Sequence, residues 1–346
     1  MARLLVTGGA GFIGTNFVHY WLREHPKDDI VVLDALTYAA NIANLDPVKA
    51  RPNFSFVHGN ICDTPLVEDL LRKHKLDVIV HFAAESHVDR SISGPNAFIE
   101  SNVIGTHSML TAARSVWLEE KAVPQHRFHH VSTDEVYGSL GPTDAPFTEL
   151  SPYAPNSPYS ASKAASDHLV RAYHHTYGLS TTISNCSNNF GPFQFAEKLI
   201  PLMITKLLGG EPLPVYGDGR NVRDWLYVED HCRAIDLILA QGRAGEVYNI
   251  GGHSECENIA LVRELCGIID ERLRSSSALR ARFPNCPAAR EDACADLISY
   301  VTDRPGHDRR YAINCAKLEN ELGFVLLHQL SPALRETVDW YLKQHR

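Results

Sequence analysis

The amino-acid sequence predicts an α/β fold: a doubly wound parallel (Rossmann) sheet with a smaller α/β C-terminal substrate-binding domain. Short β-branched runs alternate with helical stretches through the first half, several of these runs are apolar throughout, and a glycine-rich turn follows the first of them. Continuously apolar strands are typical of parallel sheets that helices cover on both faces. The alternation of strand and helix favours successive βαβ units.

Strands are predicted at residues 3–7, 30–34, 54–58, 78–82, 128–132 and 181–186. Helical patterning fills residues 14–25, 64–73 and 95–115, which lie between these strands. A helix between two strands allows them to run parallel in one sheet. The sequence therefore indicates that this half of the chain forms one sheet.

The pattern changes after residue 185. Residues 190–214 are rich in proline, glycine and aromatic residues, with a helical stretch near 198–208, and residues 222–228 and 246–250 have strand composition. Residues 272–295 are expected to form a loop or a loosely helical insertion, and residues 331–343 an amphipathic helix. We predict a dinucleotide-binding domain over residues 1–185, rejoined by about 222–251, and a substrate domain mainly over 186–346.

Composition narrows the classes of function. A net charge of -8, with 44% hydrophobic and 21% charged residues, suits a globular protein and argues against a general nucleic-acid binder. No apolar run reaches the ~20 residues of a membrane span, and no export signal precedes the first strand, so a cytoplasmic location is expected. The eight cysteines include no C-x-x-C pair and are expected to be reduced thiols. No histidine or cysteine cluster has metal-ligand spacing, so no metal is expected.

A strand, a glycine-rich turn and a helix open the chain. Gly8, Gly11 and Gly14 stand in a G-x-x-G-x-x-G frame, and Asp34 ends the next predicted strand. Glycine lets backbone N–H groups approach a pyrophosphate at a helix N-terminus. Structural turns also contain glycine triplets, but Asp34 can accept hydrogen bonds from ribose hydroxyls and would repel a 2′-phosphate. The frame therefore predicts a site for NAD rather than NADP.

Further residues are placed at neighbouring strand ends. The adenosine half is expected to contact Tyr38, Asn60 and Ile61, although surface positions would explain these residues too. The small residues Ala83 and Ala84 would let backbone lie against the cofactor, and Ser86 then points towards the ligand crevice. The residues that follow, His87, Asp89 and Arg90, fit either the site or a salt-bridging cluster that caps a helix.

The run V-S-T-D-E-V-Y-G, residues 131–138, and the pair Tyr159 and Lys163 supply the reacting groups. Spacing i, i+4 puts Tyr159 and Lys163 on one face of a helix. A tyrosine of pKa ~10 needs that pKa lowered by ~3 units, or ~4 kcal/mol, to act as a base near neutral pH. We expect the Lys163 ammonium and a positive nicotinamide ring to lower it. Thr133 is expected to hydrogen-bond the hydroxyl group that is oxidised.

Two adjacent carboxylates follow Thr133, which is more than a simple alcohol dehydrogenase needs. A ketone formed by oxidation acidifies the neighbouring C–H, from which Glu135 is placed to remove the proton. Asp134 can protonate a departing hydroxyl if its pKa rises from ~3.9 to near 7, which burial and Glu135 would promote. Two solvated loop acids are the alternative explanation. The pair points to dehydration.

The chain resembles the dTDP-glucose 4,6-dehydratases, nucleotide-sugar enzymes of the extended short-chain dehydrogenase/reductase family. The resemblance runs from residue 3 to about 267 and resumes at 300, through the motifs A-A-E-S-H-V-D-R-S-I, V-S-T-D-E-V-Y-G, S-P-Y-S-A-S-K, N-C-S-N-N-F-G-P, A-E-K-L-I-P, R-D-W-L-Y-V-E-D-H, Y-N-I-G-G-H and D-R-P-G-H-D-R-R-Y. The chain departs from the family pattern at three positions. Asn60 stands where the family usually has aspartate, Ser101 where it usually has threonine, and Ala196 where proline is common. None of these departures removes a reacting group.

The resemblance implies that tightly bound NAD takes a hydride from C4 of the glucose, that water is lost across C5 and C6, and that the hydride returns to C6. It assigns the catalytic roles to Thr133, Asp134, Glu135, Tyr159 and Lys163. It adds Phe12, Ile13, Thr37, Ser101 and Asn188 to the cofactor site. It implies a nucleotide-sugar pocket lined by Ser86, Asn189, Lys198, Leu199, Pro214, Tyr216, Arg223, Asn258, Arg304 and His307. It also implies a homodimer.

Three alternatives remain open from the sequence. UDP-glucose differs from dTDP-glucose in the base by one methyl group, worth only ~1–3 kcal/mol in a pocket. A nucleotide-sugar 4-epimerase shares the fold and the Thr–Tyr–Lys set but lacks the acidic pair. A non-catalytic NAD-binding scaffold or redox sensor would be expected to have lost some of the reacting groups.

Overall fold

The computed structural model describes residues 1–344, and its centre is a seven-stranded sheet of order β3-β2-β1-β4-β5-β6-β10. Every neighbouring pair of strands in it is parallel. Its strands are β1 (Arg3–Thr7), β2 (Asp29–Asp34), β3 (Phe54–His58), β4 (Val78–His81), β5 (Arg127–Thr133), β6 (Thr181–Cys186) and β10 (Val247–Ile250). The strand order reverses direction beside β1, and open α/β sheets bind ligands at such a point.

Helices cover both faces of this sheet. The α-helices of the described residues are α1 (Phe12–Glu24), α2 (Thr64–His74), α3 (Val88–Ser93), α4 (Asn96–Phe98), α5 (Thr106–Ala113), α6 (Pro158–Tyr177), α7 (Leu199–Gly209), α8 (Val228–Gln241), α9 (Asn258–Arg274), α10 (Ser277–Arg282), α11 (Ala316–Leu322) and α12 (Leu330–Gln344). Helices α1, α8 and α11 share one apolar core with the sheet, and α2, α5 and α6 share another on the opposite face. Among residues 1–344, no helix is both long and apolar enough to cross a membrane.

A third apolar core lies in the second half of the chain and joins α7, α9 and α12. Two small sheets accompany it, formed by β7 (Asn188–Phe190), β8 (Leu213–Tyr216), β9 (Val222–Tyr227), β11 (Glu255–Glu257) and β12 (Ile298–Val301). Their orders are β11-β9-β7 and β12-β8. This part of the chain therefore packs around its own interior.

The two late strands have different positions. Strand β10 pairs with β6 and extends the main sheet, whereas β9 pairs with β7 and β11 in a separate sheet. Within residues 222–251, strand β10 therefore joins the main sheet, whereas β9 does not. The reason is packing: Trp225 and Tyr227 of β9 enter the third core, while Leu226 enters the core beneath α1 and α8.

The segment 272–295 is more ordered than a loose insertion. It contains the end of α9, the short helix α10, and 3₁₀ turns at Pro287–Arg290 and Cys294–Leu297. Phe283, Cys286, Ala288 and Cys294 are buried in the third core. Because these four residues are spaced irregularly along the chain, they give no helical or strand periodicity in the sequence.

Candidate active site

The first turn of the main sheet fits a pyrophosphate. Gly8 leaves β1 with φ +70°, and Gly14 lies so close that a Cβ there would be 2.2 Å from the Gly8 carbonyl oxygen. Gly11 is the N-cap of α1, and the amides of Phe12 and Ile13 lie in its first turn, where helical N–H groups have no intrahelical acceptor. The predicted glycine frame thus presents unpaired donors and a helix N-terminus, which suit a bound diphosphate.

Asp34 ends β2 at the rim of this turn and is largely buried. Its carboxylate accepts hydrogen bonds from the backbone N–H of Ala10 at 2.9 Å and of Leu36 at 2.8 Å. Burial raises the pKa of Asp34, and these two bonds oppose the increase. Each carboxylate oxygen keeps lone-pair capacity for a ribose hydroxyl, so the predicted contact remains chemically available.

The other predicted cofactor residues surround the same edge of the sheet. The Ala83 backbone abuts Gly8, where a Cβ would lie 2.7 Å from Ala83 N, and Ala83 N–H donates to Thr7 Oγ1 at 3.2 Å. Asn60 Oδ1 accepts from Cys62 N–H at 2.9 Å, which shapes the turn after β3. Of the rest, Thr37 is exposed after β2, Ile61 is buried, and Ala84, Ser101 and Asn188 are half-buried.

The acidic pair lies at the carboxyl end of β5, in a 3₁₀ turn over Asp134–Tyr137 that Thr133 caps. Thr133 Oγ1 accepts from Glu135 N–H at 3.3 Å and donates to Asp134 Oδ1 at 3.4 Å. Asp134 is 2% exposed, and its Oδ2 has no hydrogen-bond partner among the described residues. Burial, followed by the charges of Glu135 and Asp224, raises the pKa of Asp134 well above its ordinary value. A solvated loop acid would not have this environment.

Glu135 is half-buried beside a group of cations. Burial raises the pKa of Glu135, and the positive charges of Arg223, Arg304 and Lys198 oppose the increase. The two adjacent carboxyl groups therefore differ: Asp134 is biased towards the protonated form, while Glu135 has counter-charges that favour the carboxylate. Such a divergence is typical of a separate acid and base.

Helix α6 brings Tyr159 and Lys163 under this turn. It begins with a capping box in which Ser157 and Ser160 bond each other's backbone N–H groups, with Pro158 in the first turn, and it ends at Gly178. Both Tyr159 and Lys163 are buried. The predicted common face is thus oriented towards β5, where Lys163 Nζ donates to the Val131 carbonyl oxygen at 2.8 Å.

The pKa of Tyr159 departs from the expectation. Burial, followed by the charge of Glu135, raises the pKa of Tyr159 well above its ordinary value, while a hydrogen bond with Thr133 lowers it. The ammonium of Lys163, which the sequence predicts to lower this pKa, donates to the Val131 carbonyl oxygen, and burial lowers the pKa of Lys163 itself. A phenolate at this buried position therefore needs positive charge nearby.

Cationic residues of the second half of the chain lie beside the 3₁₀ turn that carries Asp134 and Glu135. Lys198 Nζ donates to the Ser86 carbonyl oxygen at 2.8 Å. The buried Arg223 bonds the Asp308 carbonyl oxygen at 2.9 Å and lies over the Tyr311 ring, 4.3 Å from its centroid. Arg304 bonds Asp89 at 2.8 Å, and its Nε is buried without a partner among residues 1–344. These cations suit the negative charge of a diphosphate.

The remaining predicted pocket residues differ in whether their polar atoms already bond other protein groups or can still bond a substrate. Asn258 has a buried amide oxygen that lacks a partner in the described part of the chain. Asn189 donates to Ser187 O and accepts from His231 Nδ1, so both ends of its amide already have protein partners. His307 Nδ1 lies 2.6 Å from Asp303. Leu199 opens α7, while Pro214 and Tyr216 lie on β8.

The charged residues that follow β4 form ion pairs. Arg90 and His87 contact Glu197 at 2.6 and 3.5 Å, and Asp89 binds Arg304. Of the two alternatives for this run, the structure supports the salt-bridging cluster. Glu197 was not identified from the sequence, since its partner lies more than a hundred residues away.

Comparison with known proteins gives a consistent result. The family model described as GDP-mannose 4,6 dehydratase matches residues 5–337. The chain is 55% identical over 347 residues to a dTDP-glucose 4,6-dehydratase of Xanthomonas campestris pv. campestris (strain B100), covering 99% of this chain and 93% of the relative.

Solved structures of similar proteins extend this result. A dTDP-glucose 4,6-dehydratase from Bacillus anthracis str. Ames, in complex with NAD, is 45% identical with a TM-score of 0.85 and 99% and 97% coverage of the two chains. A dTDP-glucose 4,6-dehydratase from Streptomyces venezuelae, with NAD and TYD bound, is 48% identical with the same TM-score and coverage. The similarity therefore spans both halves of the fold.

Proposed function

The chain belongs to the GDP-mannose 4,6 dehydratase family and, within it, to the dTDP-glucose 4,6-dehydratases, and on this premise we propose that it converts dTDP-glucose to dTDP-4-keto-6-deoxyglucose with tightly bound NAD. It is thus a hydro-lyase. The observation that carries the proposal is the pair Asp134 and Glu135 beside Tyr159, with the pKa of Asp134 raised well above its ordinary value. Oxidation at C4 needs neither carboxyl group, whereas removal of water needs both an acid and a base.

NAD is proposed to lie along the glycine turn. The pyrophosphate would accept hydrogen bonds from the first turn of α1, and Asp34 would bind the adenosine ribose. When bound, NAD supplies the acceptor and later the donor of the hydride. The other proposed contacts are Gly8, Gly11, Phe12, Ile13, Gly14, Thr37, Asn60, Ile61, Ala83, Ala84, Ser101, Tyr159, Lys163 and Asn188.

Tyr159 is proposed to take the proton of the C4 hydroxyl, which Thr133 orients. Because burial and Glu135 raise the pKa of Tyr159, the phenolate forms only when positive charge is brought close, and Lys163 supports it from the same helix face. Glu135 then removes the proton at C5, and Asp134 donates its proton to the hydroxyl leaving C6 as water. After the hydride has returned to C6, Glu135 returns a proton to C5.

The cycle leaves one proton to be moved. Tyr159 has gained a proton from the C4 hydroxyl, and Asp134 has lost one to the departing water. Thr133 Oγ1 bonds Asp134 Oδ1 at 3.4 Å and shares a hydrogen bond with Tyr159. This hydroxyl therefore supports a route by which Tyr159 reprotonates Asp134 between turnovers.

The nucleotide diphosphate is proposed to bind between Arg223 and Arg304, with Lys198 facing the sugar beside Glu135. The guanidinium groups are held by Asp308 O and Asp89, so little side-chain entropy is lost on binding. Ser86, Asn189, Leu199, Pro214, Tyr216, Asn258 and His307 are the remaining proposed pocket residues. UDP-glucose is the alternative substrate, since one methyl group on the base separates the two.

We propose that residues 1–185, with 222–251, form the NAD-binding domain and that 186–346 mainly bind the nucleotide sugar. The separate apolar core around α7, α9 and α12 supports this division. A cytoplasmic location is proposed because all eight cysteines are free thiols, as a reducing compartment would keep them.

A homodimer is also proposed. Ile99 and Ile104, 49% and 52% exposed, lie in the helical stretch between α4 and α5, where a second copy would cover them. Ile104→Asp should then convert a dimer to a monomer in sedimentation velocity. A monomeric parent protein would contradict this assignment.

The function is tested by mass spectrometry of products after dTDP-glucose and UDP-glucose are incubated in parallel without added NAD. Loss of one water from dTDP-glucose, faster than from UDP-glucose, is the expected result. An unchanged mass with a new stereoisomer would indicate an epimerase. Absence of reaction after NAD is added would favour the scaffold.

A further inference from the structure

A buried carboxylate lies behind the catalytic lysine. Asp167 follows Lys163 by one turn of α6, and the two side chains meet at the ring of His130 on β5. His130 Nε2 lies 3.2 Å from Asp167 Oδ1 and 3.4 Å from Lys163 Nζ. All three residues are almost completely buried. The ammonium and the carboxylate therefore approach the same ring nitrogen inside the protein.

The carboxylate of Asp167 is held in place from its other side. Asp167 Oδ2 accepts hydrogen bonds from Ser132 Oγ at 2.9 Å and from the hydroxyl of Tyr153 at 3.0 Å. Asn185 Nδ2 in turn donates to the Tyr153 hydroxyl at 3.1 Å. These donors favour the ionised carboxylate and fix its distance from Lys163.

The groups that face Lys163 from the neighbouring strands supply no other negative charge at neutral pH. His81 of β4 and His130 of β5 are neutral, because burial and the positive charge of Lys163 hold the pKa of each well below its usual value. Burial raises the pKa of Cys186 on β6 to about 12. Burial lowers the pKa of Lys163, and among its neighbours Asp167 opposes this most strongly.

We infer that Asp167, with His130 between them, is the counter-ion that keeps Lys163 protonated during C4 oxidation, and thus is a positioning residue of the reaction. A buried ammonium without a counter-charge would lose its proton and could no longer support a phenolate at Tyr159. The inference rests on the proposed function, because Lys163 needs its charge only if Tyr159 works as a base.

The test is the pH dependence of enzyme-bound NADH formation in a single turnover, compared between the wild type and Asp167→Asn. Since Asp167 Oδ1 and Lys163 Nζ both lie within 3.4 Å of His130 Nε2, the two charges are at most about 6.6 Å apart. At an effective dielectric constant of about 20, this separation corresponds to about two units in the pKa of Lys163. The alkaline limb of the profile should therefore move down by about two units. The acid limb should not move, because Lys163 stays protonated there. Asp167→Glu should restore the wild-type limb.

Asp236→Asn is the matched control. Asp236 Oδ2 also has a tyrosine and a histidine as partners, accepting from Tyr20 at 2.9 Å and lying 2.9 Å from His25 Nε2, but it belongs to α8 and not to the catalytic cluster. This variant should keep the wild-type profile even if it melts earlier. An Asp167→Asn profile that coincides with that of the wild type would overturn the inference.

A stability cycle decides the question if Asp167→Asn folds but is too unstable for the single-turnover assay. Lys163→Met and Asp167→Asn each leave one buried charge uncompensated, whereas the double variant removes both. The double variant should melt well above the temperature expected from adding the two single losses, and additive losses would overturn the inference. If the wild type forms no NADH and no dehydrated product with dTDP-glucose, the proposed function fails instead.

Discussion

Replacement of Asp134 by asparagine separates the two halves of the proposed reaction. Asp134 is 2% exposed, its Oδ2 lacks a partner within residues 1–344, and burial raises its pKa well above the ordinary value of 3.8. Protonation of most molecules at neutral pH requires an increase of ~3 pKa units, equivalent to ~4 kcal/mol. Asparagine occupies the same volume but cannot give up a proton. Loss of a general acid should slow departure of the C6 hydroxyl by about 10²–10⁴-fold.

C4 oxidation should change little in this variant, since Tyr159 and Thr133 are intact. Water loss then becomes rate-limiting, and nearly all the enzyme should accumulate with bound NADH after dTDP-glucose is added. Stopped-flow absorbance of NADH measures this directly. In deuterium oxide, Asp134→Asn should still exchange the C5 hydrogen through Glu135, whereas Glu135→Gln should not. If Asp134→Asn does not reduce its NAD at all, the division of labour between Tyr159 and Asp134 is wrong.

Three further predictions follow from the same site. The folded protein keeps Asp134 protonated to a higher pH than the unfolded chain does, so the stability that this proton gives is lost as the pH rises above the ordinary pKa of 3.8. Asp134→Asn should therefore melt at a higher temperature than the wild type at about pH 8, with no difference near pH 4. Tyr159→Phe should reduce the rate of NADH formation by about 10²–10⁴-fold with an unchanged Kd for dTDP-glucose; an unchanged rate would exclude Tyr159 as the base. Gly14→Ala places a Cβ 2.2 Å from Gly8 O, so this variant should melt at a lower temperature and be purified without NAD. The control is Gly267→Ala in α9, where nothing lies within 4 Å of the added Cβ, and it should be neutral or stabilising by up to about 1 kcal/mol.

The sequence was sufficient for the elements that form the main sheet. Strands at residues 3–7, 54–58 and 181–186 coincide with the observed bounds, because short runs rich in β-branched, aliphatic or aromatic residues, bounded by turns and helices, define strands locally. It was insufficient for β9, which has the same β-type composition but belongs to another sheet. The partners of a strand depend on packing between distant segments, here of Trp225 and Leu226 in two different cores.

The sequence was also only partly sufficient to predict the candidate site. Spacing predicted that Tyr159 and Lys163 share a helix face, but the pKa of Tyr159 is raised because of its burial and the proximity of Glu135, neither of which spacing reveals. Asp167 stands four residues after Lys163, a signal that was present in the sequence. Its meaning became apparent only when β5 placed His130 between the two side chains.

The most direct test of the account follows a deuterium label placed at C4 of dTDP-glucose. If C4 oxidation, water loss and hydride return occur in one site with one NAD, the label should appear in the C6 methyl group of the product, with a solvent-derived hydrogen at C5. Mass spectrometry and NMR of the isolated product locate both positions. A label retained at C4 would indicate epimerisation, and a label lost to solvent would contradict internal hydride transfer.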